Sequence, residues 1–469
     1  MQQKEIYLKN YWSLFLDFIN VFADLTYNNI PLPILANFYQ HLDQTLKEEM
    51  TKPDFKKYLS RKSLDNTQIQ AQFERWLNPL KLPSKTKPSQ GKVLLNFDYL
   101  RFSQNSYSHF SPKETVIFAR FDKKDHLGIP IHCIKHYSVD VQQIIDKLVK
   151  KANGIFSSVN THPVYNNQYL KTSFINKIPL MVEQIAAVSR YFDKNPISCI
   201  IVGTTEDLIS RILTIIAASK GIPSICLQHG ILGGPEAYLP VFSTKVAVYG
   251  QYEKDWYIER GLPENRIAIT GHPRFDDIFI QNHLPRTDFQ KKYNLNPQKK
   301  YVLLATQPGN ILLWSKLIEI LAKQREIEVI IKPHPWELSR GPDRMAVYEL
   351  YSNKYQSVKL ILKKGVNLYD ILANVDIVVV NLSTAGLEAM MFRKPLFILS
   401  DMPFDYYDKM KDFTSSSPTK LAQLITRFFK DYRLQQLAHN KISEFLTYAY
   451  PQNMSAVSLL KEINKLIKT

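Results

Sequence analysis

Short runs of aliphatic residues alternate with longer amphipathic stretches through the central part of the chain. Such runs occupy residues 92–97, 115–119, 198–202, 223–227 and 266–270 and, after a polar gap at 282–300, residues 301–305, 328–331, 358–362, 375–380 and 396–399. Unbroken apolar runs of this length are typical of parallel strands that are covered on both faces. Their alternation with helical patterns predicts an α/β protein with two Rossmann-like doubly wound sheets.

The two ends of the chain carry helical patterns instead. Within residues 1–80, the apolar residues Tyr11, Leu14, Phe15 and Phe18 fall on one helical stripe. A Pro-, Ser- and Lys-rich segment at 81–91 predicts a linker. We therefore predict a helical accessory region with a linker at 1–90, an N-terminal domain at 91–285 and a C-terminal domain at 296–420. Residues 421–469 are predicted to be helices that pack back across the N-terminal domain.

The segment after the predicted strand 375–380 is the first candidate site. Ligands of doubly wound sheets bind beyond the carboxyl ends of the strands, where Ser383 and Thr384 stand here. Either residue can cap the predicted helix 385–392, whose free N–H groups and dipole would then favour an anion such as phosphate. An ordinary strand–helix crossover with a capped helix is the alternative.

Two further strand ends fall in the N-terminal half. His229 follows the strand 223–227 and precedes a glycine-rich turn, so it is a candidate general base or oxyanion partner. Glu236, in the same loop, is a second candidate base. After the strand 198–202, Thr204 or Thr205 is predicted to cap the next helix.

The C-terminal half adds a rigid histidine. Pro333 and Pro335 fix the backbone on both sides of His334, so its ring is placed with little loss of entropy. This arrangement suits contact with one atom of a ligand. The neighbouring Lys332 would offer positive charge to a diphosphate, or would be solvated.

Two weaker signals complete the set of candidate donor-binding residues. Thr306 and Gln307 follow the strand 301–305 in a turn with Gly309, which suits a phosphate or a base. Arg274 follows the strand 266–270, where its guanidinium would form a bidentate hydrogen bond to phosphate or pair with a neighbouring aspartate.

Composition and charge limit the classes of partner that the protein can bind. The chain has 469 residues, a formal charge of +17 and an isoelectric point near 9.4, which favours an anionic partner. No nucleic-acid-binding motif is present, so a nucleotide or an anionic membrane surface is the better prediction. No apolar run is long enough to span a bilayer, and the N-terminus lacks the pattern of a signal peptide. We therefore expect a cytoplasmic protein that can bind peripherally at the inner face of the plasma membrane.

Taken in order, these motifs resemble those of the GT-B glycosyltransferase superfamily over residues 195–400. The nearest similarity is to CDP-glycerol glycerophosphotransferases, capsule polysaccharide synthesis proteins and bacterial polysialyltransferases. The shared segments are a His-Gly loop at His229, a Gly-x-Pro-Arg segment ending at Arg274, a His-Pro motif at His334 and a Ser/Thr-rich helix opening at Ser383. The helix continues as Ala-Gly-Leu-Glu-Ala, which is closer to capsule-type and sugar-nucleotide enzymes than to glycerophosphotransferases.

The resemblance implies two facing domains and a function. The second half would hold a CMP-, CDP- or UDP-linked sugar, with His334, Ser383 and Thr384 near its phosphates and Glu388 reaching the ribose or staying on the helix face. The first half would hold a glycan or lipid-linked acceptor of surface polysaccharide synthesis, with His229 as a candidate base. Because no Asp-x-Asp motif follows a strand, we expect no cofactor and no essential metal. A glycerophosphotransferase, a sugar-nucleotide 2-epimerase and a non-catalytic scaffold of a polymer-export complex are the alternatives.

Overall fold

A computed structural model of the protein describes residues 2–60, 64–82, 91–362, 366–401, 405–451 and 454–468. The chain divides into two compact units. Unit 1 comprises Met1–Arg274 with Met454–Thr469, and unit 2 comprises Phe275–Asn453. The predicted linker falls largely on residues 83–90, outside the described residues.

Unit 1 is built on an eight-stranded sheet and a two-stranded hairpin. The strands of this unit are β1 (Thr26–Tyr27), β2 (Ile30–Pro31), β3 (Lys92–Asn96), β4 (Thr115–Ala119), β5 (Asp125–His126), β6 (Ile129–Cys133), β7 (Ile197–Val202), β8 (Ser224–Leu227), β9 (Lys245–Val248) and β10 (Ile267–Ile269). The order of the large sheet is β10-β9-β8-β7-β3-β4-β6-β5, and every pair is parallel except β5 with β6. The chain therefore leaves β3 toward β4 on one side and later returns to β7 on the other, which makes the β3/β7 edge a topological switch point.

The helices of unit 1 cover both faces of its large sheet. They are α1 (Gln2–Val21), α2 (Leu32–Leu35), α3 (Gln44–Glu49), α4 (Ile69–Leu77), α5 (Gln104–Tyr107), α6 (Gln142–Ser158), α7 (Gln168–Ile175), α8 (Ile178–Lys194), α9 (Leu208–Ser219) and α10 (Gln251–Ile258). On one face, Trp12 and Phe15 of α1 share a core with Leu94 and Phe118 of the sheet. The N-terminal region therefore contributes to the main core of unit 1.

Unit 2 carries a six-stranded, wholly parallel sheet. Its strands are β11 (Lys300–Ala305), β12 (Ile327–Lys332), β13 (Val358–Leu360), β14 (Ile377–Val380), β15 (Leu396–Leu399) and β16 (Thr414–Ser415). The order β13-β12-β11-β14-β15-β16 is the Rossmann order, with the switch point between β11 and β14. Its core strands are buried along their length, as the apolar runs require.

Helices cover the unit 2 sheet, and one last helix returns to unit 1. The helices of unit 2 are α11 (Asp277–Ile280), α12 (Arg286–Tyr293), α13 (Ile311–Ala322), α14 (Pro335–Arg340), α15 (Pro342–Lys354), α16 (Leu368–Asn374), α17 (Thr384–Met391), α18 (Pro418–Phe428) and α19 (Tyr432–Ala449). The final helix is α20 (Ser455–Lys468), whose Leu459 and Ile463 pack on the second face of the unit 1 sheet. Of the helices in the region predicted to pack back on the first half, only α20 belongs to unit 1.

The predicted α/β class, the two doubly wound sheets and the helical N-terminus are confirmed. The pattern missed β6, because Pro130 and His132 interrupt its apolar run, and it also missed β9, whose first residue is Lys245. It also missed the two-residue strands β1, β2, β5 and β16. Among the described residues, no helix combines the length and the apolarity that crossing a membrane requires.

Candidate functional site

The switch point of unit 2 opens into a cavity of about 520 Å³, called here the unit 2 cavity. Its lining includes Thr306, Lys332, His334, Leu338, Val366 and Ser383. The parallel neighbours β12, β11 and β14 all end at this edge of the sheet, so residues that follow each strand meet there. The structure thus brings four of the predicted donor-binding residues together: Thr306, Lys332, His334 and Ser383.

The helix opening at this cavity is capped by Ser383. Its extended backbone precedes α17, and its Oγ accepts a hydrogen bond from the Ala385 N–H at 3.2 Å. Thr384 is already the first helical residue, so of the two predicted caps Ser383 performs this role. The hydroxyl of Tyr407 donates to the Ser383 carbonyl and fixes the turn. The first N–H groups of α17 and its positive dipole end consequently lie beside the cavity.

Lys332 brings an unbalanced positive charge to the same cavity. Its ammonium is partly buried and donates to the Pro333 carbonyl at 3.4 Å, and burial lowers its pKa. Among the described residues, burial is what shifts this pKa, and no carboxylate contributes to it. A partly desolvated ammonium without a counter-charge, close to a helix N-terminus, favours an anionic ligand.

His334 is held in one orientation by its position at the start of α14. Its Nδ1 accepts a hydrogen bond from the Trp336 N–H at 3.1 Å. A neutral ring with an accepting Nδ1 carries its proton on Nε2, so the ring offers a donor at Nε2. A phosphate oxygen, which accepts hydrogen bonds, can bind to such a donor.

Glu337 organises the cavity wall, although the sequence patterns did not single it out as a site residue. Its carboxylate is fully buried and accepts from Thr306 Oγ1 at 2.7 Å, the His334 N–H at 3.0 Å, Arg344 Nε at 2.9 Å and the Tyr348 hydroxyl at 3.0 Å. Its spacing of three residues from His334 is that of a capping box, and this spacing is the signal that could have identified it.

Arg344 extends this network to the turn after β11. Its guanidinium donates to the carbonyls of Gln307 and Gly309, at 3.3 Å and 2.8 Å. The turn is therefore fixed through its backbone. Gln307, Thr384 and Glu388 are not among the described residues that line the unit 2 cavity, and Glu388 is buried in α17 with 8% of its surface exposed.

His229 lies in unit 1, directly beyond β8. Its ring stacks on Tyr238 with centroids 4.8 Å apart, and its Nε2 lies 3.8 Å from a carboxylate oxygen of Glu206. Arg101 donates to the His229 carbonyl at 3.2 Å. Burial, assisted by the charges of Arg101 and Arg274, lowers the pKa of His229 to about 4. The ring is therefore neutral near pH 7 and able to accept a proton.

Basic side chains surround His229. The fully buried His272 has a pKa well below its usual value because of burial and the nearby charges of Arg274, Arg101 and His229. The backbone N–H of Arg274 donates to His272 Nδ1 at 3.1 Å, and the Arg274 charge acts on both His272 and His229 within unit 1. No sequence motif pointed to Arg101, which enters this cluster from the loop after β3.

Glu236 has different surroundings from His229. Burial raises the pKa of its carboxyl group, and the charges of Lys4 and Lys47 oppose this rise. The Glu236 charge in turn contributes, after burial, to the raised pKa of Tyr7 on α1. The structure therefore places Glu236 against the N-terminal region.

The cap of α9 is Asp207, whose Oδ1 accepts from the Ser210 N–H at 3.0 Å, so the predicted caps Thr204 and Thr205 are wrong. Asp207 reaches this N–H because it stands directly before the helix. In the described part of the chain, no cluster of three or more His, Cys, Asp or Glu side chains is arranged to hold a metal ion.

Comparison with known proteins agrees with this architecture. Residues 314–443 match the model of the family described as "Capsule polysaccharide biosynthesis protein". None of the curated proteins matches the chain. Among solved structures, S. aureus MnaA in complex with UDP is 12% identical, with a TM-score of 0.53 over 81% of this chain and 98% of that one.

Two other solved structures are similar to the same extent. A glycosyltransferase from Rickettsia africae is 12% identical, with a TM-score of 0.51 over 81% of this chain and 100% of that one. A UDP-N-acetylglucosamine 2-epimerase is 11% identical, with a TM-score of 0.51 over 81% of this chain and 95% of that one. At this level of identity the similarity shows the fold, and the chain has the GT-B fold that its motif order predicted.

Proposed function

We propose that the protein is a glycosyltransferase of bacterial surface polysaccharide synthesis that takes its sugar from a CMP-, CDP- or UDP-linked donor. The observation that carries this proposal is the unit 2 cavity, where Lys332, His334 and Ser383 meet at the N-terminus of α17. The match of residues 314–443 to a capsule polysaccharide biosynthesis family supports it, because that segment covers much of unit 2.

The donor phosphates would bind at the positive end of the cavity. The N–H groups of α17, the Lys332 ammonium and the Nε2–H of His334 are all donors to phosphate oxygens. They would stabilise the charge that develops on the leaving nucleotide as the bond between sugar and phosphate breaks. The apolar side chains of Leu338, Val366 and Leu368 in the same lining suit the less polar parts of a nucleotide.

The acceptor hydroxyl needs a group that removes its proton. In this proposal the acceptor oxygen bonds to the donor's anomeric carbon, its proton passes to a base, and the bonding electrons leave with the nucleotide phosphate. His229 is our first candidate, since its ring is neutral near pH 7 and the carboxylate of Glu206 would stabilise its protonated form. Glu236 is the second candidate.

A nucleotide-binding panel tests the donor site. CMP, CDP, UDP, GDP and their sugar and glycerol conjugates are added to the protein, and its melting temperature is measured. A nucleotide present at about 100 times its Kd should stabilise the protein by about 2.7 kcal/mol. Lys332→Ala and His334→Ala should abolish the shift. Lys300→Ala, at the opposite end of β11, is the matched control and should preserve it. If no nucleotide raises the melting temperature, the proposal fails.

The same panel separates the alternatives. A stabilising effect confined to CDP-glycerol would favour a glycerophosphotransferase. Incubation with a UDP-sugar in the absence of acceptor distinguishes an epimerase, which would interconvert two sugars, from a transferase, which would leave the donor intact or hydrolyse it slowly. Unchanged polymer production in cells that carry both His229→Ala and His334→Ala would instead favour a scaffold.

Transfer without an essential divalent cation is part of the proposal. Its basis is that Lys332, His334 and the N-terminus of α17 supply positive potential where a metal would otherwise be needed. Activity that persists in excess EDTA is the expected result. Activity that is lost in EDTA and restored by Mg²⁺ or Mn²⁺ would contradict it.

A further inference from the structure

A second cavity lies at the switch point of the unit 1 sheet. It measures about 270 Å³, and its lining includes Asn37, Gln40, Tyr99, Arg120, Lys177 and Glu206. We refer to it as the unit 1 cavity. Tyr99 follows β3 and Glu206 follows β7, the two neighbouring strands at which the chain reverses its direction across the sheet. Switch points of parallel sheets are where ligands bind.

We infer that the unit 1 cavity binds a sugar residue of the acceptor, and that the N-terminal region forms one wall of this site. The inference rests on the proposed function. It also gives a role to the described part of the N-terminal region, through Asn37 and Gln40.

The lining combines the groups that recognise sugars. The amides of Asn37 and Gln40, the Glu206 carboxylate and the Lys177 ammonium offer both donors and acceptors to hydroxyl groups. Tyr99 has 47% of its surface exposed and presents an aromatic ring, whose body is apolar and suits the C–H face of a sugar ring. This mixture fits a polyhydroxylated ligand better than an apolar one.

The loop that carries Tyr99 has an unusual backbone. Tyr99 and Arg101 both have left-handed conformations, with φ of 59° and 54°, which cost energy for residues other than glycine. The loop is pressed against Gly203, where an added Cβ would lie 2.3 Å from the Tyr99 carbonyl carbon. Strained backbone held in this way is common at functional sites. It directs Tyr99 to the cavity and Arg101 to His229.

Glu206 connects this cavity to the candidate base. Its carboxylate lies 3.8 Å from His229 Nε2. The Asn37 side chain donates to the Glu206 carbonyl at 3.4 Å and lies 3.5 Å from its carboxylate, so a residue of the N-terminal region helps to fix this glutamate. A hydroxyl group bound at Glu206 would therefore be close to the group that accepts its proton.

Saturation-transfer NMR with simple sugars tests the inference. The probes are the methyl glycosides of glucose, galactose and N-acetylglucosamine and, as an acidic arm, methyl glucuronide. We expect transfer to at least one probe, with a signal at least fivefold weaker in Tyr99→Ala and in Gln40→Ala. Tyr432→Ala, an exposed tyrosine of unit 2, is the matched control and should leave the signal unchanged. Stronger transfer to the glucuronide than to the neutral sugars would indicate that Lys177 and Arg120 bind the carboxylate of an acidic acceptor sugar.

The outcomes separate this inference from the proposed function. Nucleotide-induced stabilisation measured on the same variants should be unchanged, because Tyr99 and Gln40 belong to unit 1. If nucleotides bind but no sugar gives transfer, or if neither variant weakens the signal, the sugar site is refuted and the donor site stands. If sugars bind through Tyr99 but no nucleotide binds, the proposed transferase is refuted. Gln40→Ala alters an exposed side chain, so it tests the site even if Tyr99→Ala disturbs its loop.

Discussion

Buried polar side chains set the chemistry of this protein at the scale of single residues. Glu337 receives hydrogen bonds from Thr306, His334, Arg344 and Tyr348 with none of its own surface exposed. His229 and His272 are kept neutral by burial beside Arg101 and Arg274. The first arrangement holds a carboxylate in one orientation and the second keeps two imidazole rings neutral, which are conditions for orienting a ligand and for accepting a proton.

Glu337→Gln should destabilise the protein and weaken its nucleotide affinity. The amide cannot balance the charge of Arg344. It also replaces an acceptor oxygen by an NH₂ donor, so at least one buried donor of the network loses its acceptor. We expect a loss of roughly 3 kcal/mol in the free energy of unfolding, measured with urea. Glu349→Gln, at an exposed position of α15, is the matched control. Equal stability of the two variants would show that the network contributes little.

The stability of the protein should fall between pH 6.5 and pH 4. His41 and His229 have folded-state pKa values of about 4, both through burial first, whereas unfolded histidines titrate near 6.5. Within this window the unfolded chain binds more protons, so acid favours unfolding, by roughly 3 kcal/mol per histidine once pH 4 is reached. The free energy of unfolding, measured with urea across this range, should fall as the pH is lowered. In His41→Gln its slope against pH should correspond to about one bound proton fewer. A flat profile would contradict these directions.

Helix ends and close packing position the site at the scale of elements. In unit 2 the helix α17 begins at the cavity because Ser383 caps it and because Tyr407 fixes the preceding turn. Gly386 permits this arrangement, since an added Cβ would lie 2.7 Å from the Tyr407 hydroxyl and 3.0 Å from its ring. The glycine of the helix opening is thus explained by packing.

Two Gly→Ala substitutions in helices should have opposite effects. Gly386→Ala is expected to cost roughly 1–3 kcal/mol through overpacking, and to weaken nucleotide binding because it displaces Tyr407 from Ser383. Gly154→Ala, in the exposed middle of α6 where the new Cβ would have no neighbour within 4 Å besides the backbone of its own helix, should stabilise by about 0.5–1 kcal/mol. Urea unfolding of both variants checks the pair. A stabilising Gly386→Ala would show that Tyr407 moves without penalty.

At the scale of the whole molecule, the formal charge of +17 is the strongest feature. Charge of this size attracts the protein to anionic surfaces over distances set by the ionic strength. It also suits a substrate that carries phosphate.

The protein should co-sediment with anionic liposomes at low salt. Phosphatidylglycerol vesicles at about 20 mM NaCl should retain it, because exposed lysines and arginines near the surface each contribute about 1 kcal/mol. About 0.5 M NaCl should release it by screening, and zwitterionic vesicles are the control. If the protein stays in the supernatant at low salt, a peripheral membrane location loses its physical basis.

The sequence alone determined the α/β class, both doubly wound sheets and the strand ends that carry polar residues. These features are local, since an apolar run such as 375–380 can be satisfied only by burial on both faces. The patterns also placed Lys332, His334, Ser383 and Thr306 after strands, and parallel order brings such residues to one edge.

Only the tertiary structure decided which polar groups meet across long separations. Glu206 approaches His229, Arg101 joins His272 and Arg274, and Asn37 reaches Glu206 across more than a hundred residues. No periodicity in the sequence records such contacts, because they depend on the order of the strands and on the packing of α1 and its neighbours into the core of unit 1. The proposed sugar site is therefore a product of the fold, whereas the sequence already indicated the residues of the proposed phosphate site.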